Sequence, residues 1–268
     1  MLTVLKLGGE LLEDAAATAR AAAGVARLAA DGPLAVVHGG GRAIDADLRA
    51  RGLAPHFVDG LRVTDEATLD SVIAVLAGRI NTTFVAMLGA AGVNAVGLTG
   101  ADARIAPARL AAPLQSTTGQ PVDLGLVGMP KAGAPARLIE DLVALGYVPV
   151  IATVGVTDEG TLLNVNADVL AAHLALVINA DRLIVAGSTP GVFDAGKVPV
   201  PHLDEAAARA MVAAGTARDG MVAKLNACLG ALVAGVRDVR IVDGRHGDYA
   251  GAPGTVISQF AGSAITQC

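Results

Sequence analysis

Aromatic residues are scarce in this chain, which has no tryptophan, two tyrosines and four phenylalanines among 268 residues. Proteins that hold single-stranded nucleic acid stack bases on aromatic rings, and so small a supply leaves no such platform. Lysine is scarcer than arginine: Lys6, Lys131, Lys197 and Lys224 stand against sixteen arginines. No block of either cation occurs, and a formal net charge of −5 with a pI near 5.5 removes the basic footprint of a nucleic-acid binder. Cysteine is limited to Cys228 and Cys268, without CxxC spacing or neighbouring histidines, so neither a disulfide framework nor a metal site is expected. The apolar start MLTVLKLGG is too short for the hydrophobic region of a signal peptide and is broken by Lys6. Later apolar runs meet a charge or a glycine before about 18 residues, the length at which a membrane span becomes plausible. The expectation is a cytoplasmic protein that engages neither nucleic acid nor membrane.

What is present is aliphatic: 53% of the residues are hydrophobic, enough to fill a sizeable core from Ala, Val, Leu and Ile. Short β-branched runs alternate with Ala-rich stretches, which predicts βαβ units and a mainly parallel sheet. Strands are predicted at 2–7, 34–38, 94–98, 148–153, 182–186 and 239–243. Helices are predicted at 14–30, 42–52, 66–90, 135–146, 166–178, 204–215 and 220–235, where good helix formers carry Leu, Val and Ile at three- and four-residue spacing. Residues 101–134 mix Pro, Gly and short apolar pairs, and read as a hairpin-rich excursion or a mobile loop. No repeat or tether divides the chain, and a boundary near residue 180 would separate two closely packed halves.

Two glycine-rich elements stand out. Lys6-Leu7-Gly8-Gly9 closes the first strand; its glycines let the backbone turn tightly and present N–H groups to an anion, and Lys6 adds a point charge. A surface lysine before an ordinary strand-to-helix turn is the plainer alternative. His38-Gly39-Gly40-Gly41 closes the second strand with more glycine than such a turn needs, at the place where α/β sheets bind phosphates and carboxylates. It matches neither the Walker pattern nor GxGxxG, and a flexible loop would also explain it. His38 reads as a packed or hydrogen-bonded strand-end residue rather than a base. Two such loops suggest two anionic groups in one crevice, which fits phosphoryl transfer, a reaction served by donors and lysines around the moving group.

Three polar constellations accompany them. Gly60-Leu61-Arg62-Val63-Thr64-Asp65 places one guanidinium in an apolar turn, suited to bidentate capture of a carboxylate or to a salt bridge with a neighbouring acid. Asn164-Val165-Asn166-Ala167-Asp168 follows the Gly155–Gly160 turn; Asn166 can cap the next helix, and Asp168 would face the strand ends from its first turn. Asp219-Gly220-Met221-Val222-Ala223-Lys224 opens the last long helix. Lys131 and Lys197 fall in expected loops and read as solvated.

In order, KLGG, HGGG, GLRVTD, GVTDEG, NVNAD and DGMVAKLNA resemble the amino acid kinase family over nearly the whole chain. The pairing of GLRVTD with GVTDEGTLLNVNAD points to the branch that acts on N-acetyl-L-glutamate. The resemblance implies a three-layer αβα sandwich with an open, mainly parallel sheet, an acceptor half over 1–180 and a nucleotide half over 181–268 on one continuous sheet. It further implies ATP-dependent phosphorylation of the acceptor's side-chain carboxylate to an acyl phosphate, a step of arginine biosynthesis. Lys6 and Lys224 would then stabilise the transferring phosphoryl group and Asp168 would organise both. Gly8, Gly9, Gly40 and Gly41 would bind phosphate oxygens; Gly39, Gly40, Arg62 and Asn164 would hold the acceptor. Ser188, Gly191, Gly220 and Met221 would meet the nucleotide. Mg²⁺ would ride on the ATP phosphates, with no protein metal cage. Where family members commonly carry an acid, this chain reads Ala186-Gly187-Ser188-Thr189-Pro190-Gly191, which lacks one. Arginine-inhibited relatives carry an extra N-terminal helix that this sequence lacks ahead of its first strand, so a homodimer insensitive to arginine is expected. Two other readings remain: a kinase acting on aminoadipate linked to a carrier protein, and a non-catalytic amino-acid sensor. Other family acceptors, such as aspartate, carbamate or UMP, fit less well.

Overall fold

A computed structural model describes residues 1–115, 119–217 and 220–259; Asp219 and Cys268 lie outside the described residues. Eight strands form one sheet: β1 (Thr3–Leu7), β2 (Leu34–His38), β3 (Ala95–Thr99), β4 (Val148–Ala152), β5 (Arg182–Gly187), β6 (His202–Asp204), β7 (Asp238–Asp243) and β8 (Gly254–Ser258). Their order across the sheet is β6-β8-β7-β5-β1-β2-β4-β3, and all neighbours run parallel except β7 and β8. β1, β2 and β4 are buried along their whole length, the signature of strands covered on both faces.

The covering helices are α1 (Ala15–Asp31), α2 (Gly41–Ala50), α3 (Glu66–Ala90), α4 (Arg137–Ala144), α5 (Ala167–Val177), α6 (Glu205–Ala213) and α7 (Gly220–Val233). Alternation along the strands sorts the side chains into two cores. Leu5, Leu7, Val36, Val150 and Ile184 pack with Val25 and Leu28 of α1 and with Val72, Phe84 and Leu88 of α3. Val4, Val37, Ile151, Val185 and Ile241 pack with Leu170 and Leu174 of α5, Leu225 and Leu229 of α7, and Ile139 of α4. Burying each such Leu, Ile or Val contributes about 1.5–3 kcal/mol, so the αβα sandwich is held mainly by aliphatic contacts.

The six predicted strands lie within one residue of their expected bounds and the seven helices within two. β6 and β8 were not foreseen: β6 is only three residues long, and Pro201 and Pro253 immediately precede the two strands. A second, four-stranded sheet orders Val154–Val156, Leu162–Val165, Val127–Pro130 and Ala108–Leu110 side by side. Two of its strands come from the segment read as a hairpin-rich excursion or mobile loop. Ile105, Ala106 and Ala108 in that segment are fully buried, so it contributes to the core, and its Leu114–Gln115 and Pro121–Val122 strands pair as a hairpin.

Among the described residues one helix, α3, is long and apolar enough to cross a membrane, by length and composition only. It carries Gly78 and Arg79, so the expectation that a charge or glycine would break every such run does not exclude it by this measure. In the fold Arg79 pairs with Asp47 at 3.1 Å and Asn81 donates to Val150 O at 2.9 Å, contacts that tie the helix to the sheet and to α2.

Parallel register determines where loops meet. Leu7 lies opposite both His38 and Ala186, and His38 lies opposite Ala152. The segments Gly8-Gly9, Gly39–Gly41, Thr153 and Gly187-Ser188 therefore emerge together at the C-terminal edge. In this sheet, strands from before residue 180 occupy one half and later strands the other, meeting at the β1–β5 seam. That reversal of strand order opens the crevice in which α/β sheets bind ligands.

Candidate active site

Lys6 shares a face of β1 with Val4, the face covered by α5 and α7. Asn166 caps α5 by accepting from the amides of Asp168 and Val169, at 2.9 and 3.2 Å, so Asp168 begins the helix directly over β1. Its Oδ1 lies 2.8 Å from Lys6 Nζ and its Oδ2 lies 3.6 Å from Lys224 Nζ. Lys6 and Asp168 are buried; Lys224 keeps a fifth of its side chain exposed. The close Lys6 contact is an ion pair rather than a well-directed hydrogen bond, since Oδ1 has no aligned donor. Burial alone would raise the Asp168 pKa, but the two ammonium groups outweigh it and hold the carboxyl below its usual range. The cluster is thus one carboxylate between two cations, with a net positive charge facing the strand ends.

Beside it, a cavity of about 190 Å³ is lined by Gly39, Gly40, Gly41, Arg62, Asn164 and Thr153, among others. Arg62 is buried, stacks 4.6 Å over the Phe57 ring, donates from Nη2 to Gly41 O at 3.1 Å and lies 2.6 Å from Asp45. Its Nη1 is buried with no hydrogen-bond partner among the described residues. A buried guanidinium N–H without a partner is costly, and a carboxylate in the cavity would satisfy it. The salt bridge expected of Arg62 is present through one nitrogen, and the other has no partner among the described residues. Asn164 Nδ2 donates to Thr64 Oγ1 at 3.0 Å, which fixes its orientation in the cavity lining.

The glycine loops divide their amides. Gly8 N–H donates to Ala186 O at 2.8 Å and Gly39 N–H to Leu7 O at 3.1 Å, so these two extend the sheet. The Gly8 amide, expected at phosphate oxygens, is here bonded within the sheet. The amides of Gly9, Gly40 and Gly41 make no hydrogen bond among the described residues and precede helical turns, an arrangement that receives anions. Glycine is required where the loops touch, because a Cβ on Gly9 would lie 2.5 Å from Gly40 Cα and 2.7 Å from its nitrogen.

Ser188, Gly191, Gly220 and Met221 do not line this cavity. Ser188 is exposed just past β5, on the far side of the seam from the cavity. Gly191, at φ 101°, packs on Thr255, so chain geometry by itself explains that glycine. Gly220 is exposed within reach of Lys224, and Met221 is half-buried against the α5–α7 core. Lys131, read as solvated, is ion-paired with Asp158, which Arg104 also contacts at 2.5 Å.

Sequence reasoning missed Glu10. Its Oε1 accepts from Ser188 N at 3.1 Å and the carboxylate rests over Gly8. An acid absent from the Ala186–Gly191 run thus reaches that loop from the first glycine turn, a long-range contact that no local pattern signals. Thr64, fully buried between Arg62 and Asn164, was also unassigned, although it lies inside the GLRVTD motif.

Residues 1–243 match the model of the amino acid kinase family. The chain belongs to the amino acid kinase family. Among its relatives, the acetylglutamate kinase of Solibacter usitatus is 40% identical over 99% of this chain and 97% of its own length. That of Granulibacter bethesdensis is 39% identical over 91% of this chain and 83% of its own length. A Streptococcus mutans protein of known structure superposes with a TM-score of 0.82 at 25% identity, covering 97% of this chain and 99% of that one. As an amino acid kinase the chain takes ATP as phosphoryl donor and a small molecule as acceptor. Among the described residues of this amino acid kinase, no group of three or more His, Cys, Asp or Glu is placed to hold a metal ion.

Proposed function

We propose that this enzyme phosphorylates the side-chain carboxylate of N-acetyl-L-glutamate with ATP, in arginine biosynthesis, and does so at the β1–β5 seam. The observation that carries the site assignment is Asp168 shared by Lys6 and Lys224, directly beside a cavity with a buried, unpartnered Arg62 nitrogen. The choice of acceptor rests on the acetylglutamate kinases to which the chain is about 40% identical over most of its length.

In the reaction, an oxygen of the acceptor's side-chain carboxylate attacks the γ-phosphorus as the bond to the β,γ-bridging oxygen breaks. The products are an acyl phosphate and ADP, and no enzyme-bound covalent species is needed. Arg62, Asn164 and the free Gly40 amide would hold the acceptor's other polar groups, and the free amides of Gly9 and Gly41 would receive the transferring phosphoryl oxygens. Lys6 and Lys224 would offset charge on that group as it moves, with Asp168 keeping both ammoniums in place. Ser188, Gly191, Gly220 and Met221 would flank the nucleotide from the half after residue 180. Asp168 is committed to two lysines and would not serve as a metal ligand. Mg²⁺ would enter on the nucleotide phosphates, and no step is routed through a protein-held ion. The reading includes a homodimer in the cytoplasm.

Hydroxylamine trapping of acyl phosphate tests it, with ATP, Mg²⁺ and either acetylglutamate, glutamate or free aminoadipate. Product with acetylglutamate alone is expected. Silence with all three would sink the reading and turn attention to a carrier-linked acceptor or a non-catalytic sensor.

A further inference from the structure

His38 and Asn81 are buried polar residues that the reaction above does not use. His38, at the end of β2, is fully buried, and Asn81 is nearly so. Asn81 Nδ2 lies 2.9 Å from Val150 O and 3.1 Å from His38 Nε2, while His38 Nδ1 lies 3.2 Å from Gly39 O. The protons can be assigned from these partners. A carbonyl oxygen only accepts, so the Asn81 atom facing Val150 is the NH₂ group, and the same NH₂ donates its second hydrogen to His38 Nε2. Nε2 is then the bare nitrogen, and Nδ1 carries the proton donated to Gly39 O.

That bond controls more than one oxygen. The Gly39 carbonyl and the Gly40 N–H belong to one planar trans peptide and point in opposite directions. The Gly39 C=O bond to His38 holds this plane at its carbonyl end, and the Gly39 N–H bond to Leu7 O anchors the preceding peptide, so the direction of the Gly40 N–H is set. Gly40 lines the cavity. The helix that supplies Asn81 is built for this contact. Ala74–Ile80 is π-helical, within the continuous helix α3. At about 100° per residue an α-helix would turn residue 81 well away from the face shared by 76 and 80. The wider π turn lets Leu76, Ile80 and Asn81 all face the sheet, and π segments are frequent at functional sites. Leu76 and Ile80 reach the space where a Gly40 Cβ would be.

We propose that His38 and Asn81 form a positioning pair that aims the Gly40 N–H into the acceptor cavity. The proposal rests on the reading of that cavity as the acceptor site. Its signature is a change in acceptor binding separable from nucleotide binding. His38→Gln offers an amide oxygen to Asn81 and an amide N–H to Gly39 O; His38→Leu offers neither link, and Asn81→Leu removes the donor that keeps Nε2 bare and the proton on Nδ1. Steady-state kinetics of these variants, with ¹⁵N NMR of the wild-type imidazole, test the pair. The expected results are a proton on Nδ1, an acetylglutamate KM raised about tenfold or more in both leucine variants with little change in ATP KM, and substantial recovery in His38→Gln. A proton on Nε2, a His38→Gln defect equal to that of His38→Leu, or a parallel rise in both KM values would overturn it. Should His38→Leu not fold, Asn81→Leu and the wild-type imidazole still decide. Wild-type silence toward acetylglutamate would instead count against the proposed function, and the imidazole proton would still report on the pair.

Discussion

Lys6 and Lys224 carry the same charge but are held differently, and the difference separates catalysis from stability. Lys6 is buried against Asp168, and removing one partner of a buried ion pair costs about 3–5 kcal/mol. Lys224 is farther from Asp168 and partly exposed. Lys224→Met is therefore expected to lower kcat by about 10²–10³ with little change in Tm, whereas Lys6→Met loses comparable activity and also melts earlier. Equal melting of the two variants in a thermal scan would contradict this. His38 offers a second test at this scale. Burial lowers its pKa from 6.5 to about 4, against a smaller opposing effect of the Gly39 carbonyl. Between these values the unfolded chain binds the proton and the folded one does not, so stability rises with pH across that window and is fully present above 6.5. Its loss on acidification from pH 6.5 to 4 would amount to about 3 kcal/mol. Urea titrations of wild type and His38→Gln across this range should show a shallower acid loss in the variant, and parallel curves would refute it.

At the scale of elements, two strand-end turns and one helix are packed more tightly than their sequences suggest. Gly9 and Gly40 touch backbone to backbone, where no side chain can swing aside. Gly9→Ala is expected to cost about 1–3 kcal/mol and to raise KM for both substrates. Gly41, whose Cβ position is open, should accept alanine with stability unchanged or slightly improved, as helix propensity favours Ala over Gly. Chemical denaturation of the pair checks the contrast, and equal midpoints would show that the loops are looser than described. Both glycine runs were legible as turns from sequence. Their mutual contact was not, because it joins residues 9 and 40 through strand register rather than through local pattern. The long apolar helix at 66–90 was likewise predicted to the residue. Its π segment was not, since the extra residue per turn is selected by what Leu76, Ile80 and Asn81 must reach across the sheet.

For the whole molecule, the seam between β1 and β5 divides strands from before and after residue 180, while the charged cluster spans it: Lys6 and Asp168 come from one side and Lys224 from the other. If the halves serve acceptor and nucleotide as proposed, hydrogen exchange should respond separately. Acetylglutamate should protect residues 61–64 and 162–166, and a non-hydrolysable ATP analogue should protect 187–191 and 220–224, while residues 39–41, at the transferring group, respond to both. Protection by either ligand in the other's set would reject the division. Light scattering during gel filtration should give twice the 26.6 kDa chain mass, with activity unaffected by arginine; a hexamer inhibited at low arginine would overturn that expectation.

Sequence alone determined the layered α/β architecture, because aliphatic alternation and helical spacing are local and repeated along most of the chain. It also determined which polar residues stand in glycine-rich or cap positions: Lys6, Arg62, Asn166 and Asp168 each sit in a short motif whose chemistry can be read in place. Tertiary structure decided which amides remain free. Gly8 and Gly9 are identical in sequence terms, yet sheet pairing takes the first and leaves the second. It also brought Glu10 to Ser188 and Asn81 to His38, contacts across 178 and 43 residues. Such pairings depend on strand order and register, and these follow from how the whole core closes rather than from any stretch of the chain read alone.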